Sequence, residues 1–210
     1  IFGAYELNNN FLNSLEEKKI LNILNKISKQ DILCVMDYGH GLFTNKICSK
    51  LNKIKNNKSL NVQFNSFNYN FQKISKFKNF NLACFNQKEL FLEIKEYQNN
   101  DEIETLAKHL LKKQKFKKMI ISLGKEGSKF FDKSKNKSVY CPGFTKKADD
   151  RIGAGDSLFA MLTILNKLNL DPYIQLLISN YLAFLSLEKN GPMQKIDSNN
   201  FFKYFEHFIK

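Results

Sequence analysis

Arginine is almost missing from this chain. Of its 33 basic residues only Arg151 is an arginine, and against 20 acidic residues the lysines leave a net charge of +13. Proteins that read nucleic acid lean on the planar guanidinium fork, which bridges two acceptors on guanine or phosphate at once. A charge built from lysine, in a sequence also crowded with Asn, Ile and Phe, reflects an AT-rich coding bias rather than a binding patch. Lys112, Lys113, Lys115, Lys117 and Lys118 read as a solvated face, and the composition argues against a nucleic-acid partner. Long apolar runs are missing as well: no stretch would span a membrane, and the start does not resemble a signal peptide. Paired cysteines are a third absence. Cys34, Cys48, Cys84 and Cys141 are scattered without a Cys-x-x-Cys spacing, which suggests neither a zinc site nor a disulfide framework and fits reduced thiols in a cytoplasm. The first residue is Ile1 rather than Met, so the chain is expected to be a piece of a longer product.

What is present is an alternation of strands and helices. The 210 residues allow one domain with a sizeable core, and neither an internal repeat nor a boundary divides 1–210. Ile1 to Glu6 alternates like a strand. Phe11 to Ile27 reads as an amphipathic helix. Asp31 to Asp37 is a continuous apolar run ending in a carboxylate, the pattern of a strand buried on both faces of a parallel sheet. The loop Tyr38-Gly39-His40-Gly41 follows, and Thr44 should cap a helix to about Leu51. Further strands are expected at Leu60–Phe64, Asn81–Phe85 and Lys118–Leu123, with the polar loop Asn65–Asn70 after the first of these. Helices should run from Asn86 to about Tyr97 and onward from a cap at Asp101. Gly124 to Gly127 reads as a hairpin-like turn into two short strands, Ser128–Asp132 and Ser138–Cys141. Two more helices are expected, Pro172 to about Leu187 and one from Asp197. The pattern predicts an α/β fold with a mainly parallel sheet covered on both faces.

The chain is organised around Asp149-Asp150-Arg151-Ile152-Gly153-Ala154-Gly155-Asp156, which leads into the apolar helical run Leu158, Phe159, Leu162, Leu165. A helix N-terminus offers unpaired N–H groups and the positive end of the dipole, and glycines let an anion approach closely. A carboxylate there could take a proton from a hydroxyl while the N–H groups hold charge on a transferred phosphoryl group. A tight turn capped by an aspartate would look the same. Three other stretches have ordinary structural readings on their residues alone: Asn86-x-x-Glu89 as a capping box, Ser122-Leu123-Gly124-x-x-Gly127 as a β-turn with two glycines, and Asn180, on an apolar helix, as a satisfied core amide.

Together, and in this order, these stretches resemble the PfkB (ribokinase-like) carbohydrate kinases, whose signature is Asp-x-Thr-Gly-Ala-Gly-Asp. The resemblance implies a ribokinase-like three-layer sandwich, of which this chain covers the C-terminal two-thirds, without the N-terminal part, most of the lid and a sugar-binding Asp. It implies Asp156 as the catalytic base and Gly153, Ala154 and Gly155 as the anion hole. Asn86 and Glu89 would place Mg²⁺ through water, and Asp150 would help hold a monovalent cation such as K⁺. Ser122, Gly124, Gly127 and Asn180 would lie toward ATP. Asp37-Tyr38-Gly39-His40-Gly41 and Asn61-Val62-Gln63-Phe64-Asn65-Ser66 are similar to stretches in the kinase domain of bifunctional heptose-phosphate kinase/nucleotidyltransferases, which makes Asp37 a substrate-side residue. That likeness also allows a homodimer and a fused nucleotidyltransferase domain. Departures are visible: Ile152 replaces Thr, His40 replaces Lys, and Phe67 and Asn70 replace glycines. Arg151 is expected to grip a phosphate of ATP or of a phosphorylated sugar, because it alone escaped replacement by lysine; the alternative is a pairing with Asp149 or Asp150. The function implied is ATP-dependent phosphorylation of a sugar or sugar-phosphate hydroxyl. A noncatalytic nucleotide- or sugar-binding domain is the alternative, and the isolated chain is expected to be a poor sugar kinase.

Overall fold

A computed structural model describes residues 10–64, 73–94, 102–135, 137–144 and 153–187, together with Lys203 and Phe205. The strand expected at Ile1–Glu6, the loop at Asn65–Asn70, the cap at Asp101, and Asp149 to Ile152 lie outside the described residues. So does most of the helix expected from Asp197; Lys203 and Phe205 are helical.

Six strands form one sheet in the order of the chain: β1 (Ile32–Asp37), β2 (Asn57–Val62), β3 (Leu82–Asn86), β4 (Lys118–Ser122), β5 (Ser128–Asp132) and β6 (Val139–Cys141). The first four are mutually parallel; β5 and β6 add as antiparallel strands through the turn at Gly124–Glu126. The helices are α1 (Ser14–Asn25), α2 (Asn45–Lys53), α3 (Gln87–Glu93), α4 (Ile103–Gln114), α5 (Ala154–Leu168) and α6 (Pro172–Leu187).

The strands send alternate side chains to opposite faces. Ala83 and Phe85, Met119 and Ile121, and Phe131 point to one core, which Ile47 and Leu51 of α2, Leu90 of α3, and Leu106, Leu110 and Leu111 of α4 close. Leu82 and Cys84, Ile120 and Phe130 point to the other, closed by Leu158, Phe159 and Leu162 of α5 and Leu176, Leu177 and Tyr181 of α6. Each fully buried Leu, Ile or Phe contributes about 1.5–3 kcal/mol to this three-layer arrangement. Phe77, Phe80 and Phe116 extend the first core edge-to-face, with centroids 5.9 and 6.3 Å apart.

Two expectations are corrected. The run at Ile32–Asp37 is not buried on both faces: β1 stands at the end of the sheet, pairs only with β2 among the described residues, and exposes Cys34. An apolar run looks the same in a central strand and in an edge strand covered by helices. The second strand starts at Asn57, before Leu60, because Lys58 and Ser59 are buried despite their polarity. The Lys58 ammonium donates to the Leu51 carbonyl at 2.7 Å and lies 4.8 Å over the Phe80 ring, so a charged residue is accommodated where periodicity indicates a loop. Among the described residues no helix is long and apolar enough to cross a membrane.

Candidate active site

The parallel strands bring their C-terminal ends to one edge. Asp37 lies level with Val62, and Asn86 with Ser122, so Asp37, Gln63, Asn86 and the Ser122–Gly124 turn share that edge, where open α/β sheets bind ligands. Helix α5 starts at the same edge and returns along the sheet. Its fifteen residues span about 22 Å, close to the ~20 Å of a six-residue strand. At its far end Lys167 Nζ donates to the Gln30 carbonyl at 2.8 Å, just before β1 begins.

The near end of α5 carries the site. Gly153 takes the position before the helix with φ +86°, a left-handed conformation that costs most residues energy, and has no side chain of its own to cap the turn. The first backbone bond runs from Ser157 N–H to the Gly153 carbonyl at 3.0 Å, so the N–H groups of Ala154, Gly155 and Asp156 precede the helical ladder. Among the described residues, a Cβ built at Gly153 or Gly155 meets nothing within 4 Å. The turn therefore presents N–H groups, dipole and open space together, a suitable cradle for an anion.

Asp156 stands in this first turn, half-buried. Its Oδ1 accepts from Gln63 Nε2 at 2.7 Å and from the Tyr38 hydroxyl at 3.5 Å. Glu89 is nearby and buried. Burial pushes its carboxyl up to about 7; the N–H groups of Asn86 and Phe64 oppose that rise, and the charge of Asp156 adds to it. Asn86 and Glu89 form a reciprocal cap on α3: Asn86 Oδ1 accepts from Glu89 N–H at 2.8 Å, and Glu89 Oε2 from Asn86 N–H at 2.7 Å. The capping box is thus present, and the same geometry fixes Glu89 close to Asp156.

Asp37 is buried at the end of β1. It accepts from Gly39 N–H at 2.9 Å and pairs with Lys76 at 2.5 Å. Its carbonyl accepts from Gln63 N–H at 2.9 Å, which carries the β1–β2 ladder one residue past the strand. The two glycines of the Ser122–Gly127 turn have different reasons. Gly124, at φ +63°, faces open space among the described residues, whereas a Cβ at Gly127 would lie 2.1 Å from the Cys141 carbonyl and 2.5 Å from Gly143 N. Gly124 can admit a ligand, and Gly127 lets the chain after β6 pass. Asn180 is buried and engaged: its Nδ2 donates to the Cys141 and Pro142 carbonyls at 3.3 and 3.2 Å, and its Oδ1 accepts from Ser128 at 2.8 Å. Its amide ties α6 to the passage beside that turn.

The structure therefore gathers Asp156, Glu89, Asn86 and Asp37 at one edge with the turn at Gly153–Gly155. Arg151 and Asp150 are outside the described residues. Gln63 and Lys76 are contributors that sequence reasoning did not single out. Gln63 was visible within the Asn61-Val62-Gln63 stretch; Lys76 is one lysine among many. No group of three or more His, Cys, Asp or Glu among the described residues is placed to hold a metal ion.

Several solved structures share this fold. Phosphofructokinase-2 from Escherichia coli in complex with potassium superposes with a TM-score of 0.76 at 17% identity, covering 95% of this chain and 64% of that one. The same enzyme in complex with fructose-6-phosphate gives 0.66 at 18%, covering 85% and 58%. Ribokinase from Thermotoga maritima gives 0.59 at 19%, covering 87% and 57%. These identities show a common fold alone, and this chain spans less than two thirds of the length of each. No curated protein matches the chain. The sequence model of the pfkB family carbohydrate kinases matches residues 4–198, and the chain accordingly belongs to that family.

Proposed function

We propose that the protein transfers the γ-phosphoryl group of ATP to a hydroxyl of a sugar or sugar phosphate. The observation that carries this reading is the Asp156 carboxylate, held by Gln63 in the first turn of α5, beside open-faced Gly153 and Gly155. Asp156 takes the proton of the acceptor hydroxyl as its oxygen forms the new bond to phosphorus, and the bond from phosphorus to the ADP oxygen breaks. The N–H groups of Ala154, Gly155 and Asp156 face the charge that grows on the transferred group. Gly124 and Ser122, at the end of β4, lie along the same edge and suit the nucleotide side.

The donor set fits a magnesium ion that arrives with phosphates. Mg²⁺ keeps most of its water and needs few protein oxygens, such as those of Glu89 and Asn86, which the reciprocal cap on α3 holds together. Both Glu89 and Asn86 would hold its waters, and the bound ion would neutralise phosphate charge. Asp150 would help hold a monovalent cation, in keeping with the potassium complex of phosphofructokinase-2. Arg151 would grip a phosphate; Arg151→Lys should then lose measurable affinity for the phosphorylated ligand, and wild-type affinity in both Arg151→Lys and Arg151→Ala would make it an ordinary surface residue.

The acceptor follows from two hints. Fructose 6-phosphate and ribose suit the structural relatives, and a heptose phosphate suits the Asp37–Gly41 and Asn61–Ser66 stretches. Incubating the protein with Mg·ATP and each of these three, and following labelled phosphate into the sugar, tests the reading. Transfer to at least one is expected. ATP binding without transfer to any of them would favour a noncatalytic nucleotide-binding domain.

A further inference from the structure

We infer that Gln63 is the positioning residue of the catalytic base, a proposal that rests on the kinase reading of Asp156. A carboxylate on a short side chain rotates about its last bond, and only external donors fix the plane in which it meets a hydroxyl. Here two donors, Gln63 Nε2 and Tyr38 Oη, converge on one oxygen, Oδ1. The 2.7 Å bond from Gln63 is the shorter and dominates; the 3.5 Å contact from Tyr38 is at the limit of a hydrogen bond. That arrangement assigns Oδ2 to the acceptor proton.

The anchor behind Gln63 is rigid. Its N–H donates to the Asp37 carbonyl, and the Asp37 carboxylate is fixed in turn by Gly39 N–H and Lys76. The paired strands β1 and β2 hold this anchor, so the amide is presented from the end of the sheet. Gln63 also tells two neighbouring carboxylates apart. Glu89 receives its donors from backbone N–H groups of Asn86 and Phe64, whereas Asp156 receives a side-chain amide from Gln63. An aspartate in the first turn of α5, without that donor, would be free to turn its plane away from the line of transfer. Misalignment of reacting groups by about 1 Å costs up to roughly 10²-fold in rate.

The test uses Gln63→Met, which keeps length and apolar volume but removes the donor, and Gln63→Glu, which keeps the shape and replaces the donor with an acceptor. With Mg·ATP and the acceptor that supports turnover, kcat should fall between about 10- and 10²-fold in both variants, with KM for ATP and the melting temperature close to the parent's. Gln63→Lys, which restores an N–H donor, should recover part of kcat. An unchanged kcat, or a loss that tracks melting temperature, would overturn the proposal. A second readout needs no acceptor. The Gln63 side-chain amide, assigned in the ¹H–¹⁵N spectrum by its loss in Gln63→Met, should shift on Asp156→Asn. An amide resonance indifferent to that substitution would overturn the contact, whereas a parent without sugar phosphorylation but with this shift would retire the kinase reading alone.

Discussion

Lys58 sits inside β2 with its ammonium donating to Leu51 and stacked over Phe80, and burial pulls its pKa down to about 8. The unfolded chain holds that proton to about pH 10.4. Below about pH 8 both states carry the charge and the fold bears the cost of burying it; between about 8 and 10.4 the folded state sheds the proton first, so this residue's contribution to stability rises with pH. Lys58→Met keeps the length without the charge. The stability of the parent minus that of the variant, from urea denaturation, should climb across pH 8 to 10; a flat difference would contradict the burial account. Glu89 titrates with the opposite sign. Its folded carboxyl, raised to about 7, binds protons that the unfolded carboxyl releases near pH 4.5, so its share of stability is full below that range and lost as pH rises through about 7. Glu89→Gln should flatten that fall between pH 5 and 7.5, and an unchanged slope would reject it.

At the scale of elements, turns and caps decide where the chain stops being regular. Helix α1 opens on a full capping box, Asn13 with Glu16, each such cap being worth about 1 kcal/mol. Helix α5 opens on Gly153, which has no side chain of its own to cap the N–H groups of the first turn. The turn between β4 and β5 separates two kinds of glycine. Gly127→Ala must push a Cβ into the Cys141 carbonyl at φ +99°, and should cost roughly 2–4 kcal/mol. Gly124→Ala meets only open space at φ +63°, and should cost about 1–2 kcal/mol from backbone strain. Denaturant midpoints of the two variants check the order; equal losses would mean that close passage after β6 is not what holds Gly127.

Across the whole molecule, sequence and fold agree where local pattern and global position coincide. The parallel strands, the shared C-terminal edge and the helix after Gly153-Ala154-Gly155-Asp156 follow from apolar runs alternating with helical stripes. The place of β1 does not: an edge strand and a central one can share the same apolar run, and only pairing decides. Nor does the exposure of α1, whose Leu15 and Ile23 are 72% and 60% exposed although they belong to its apolar pattern. Gln63 escaped notice as a working residue because only the fold carries it across 93 positions to Asp156. Lys58 misled because a polar strand start looks like a loop until its ammonium finds the Leu51 carbonyl. The proposed activity depends above all on Asp156 as the base of a phosphoryl transfer. Its most direct test is kcat of Asp156→Asn against the parent, with Mg·ATP and the acceptor sugar at saturation. A loss of at least ~10²-fold with nucleotide affinity retained is expected, since the amide keeps the shape and the α5 N–H groups remain. Equal turnover in variant and parent would contradict it.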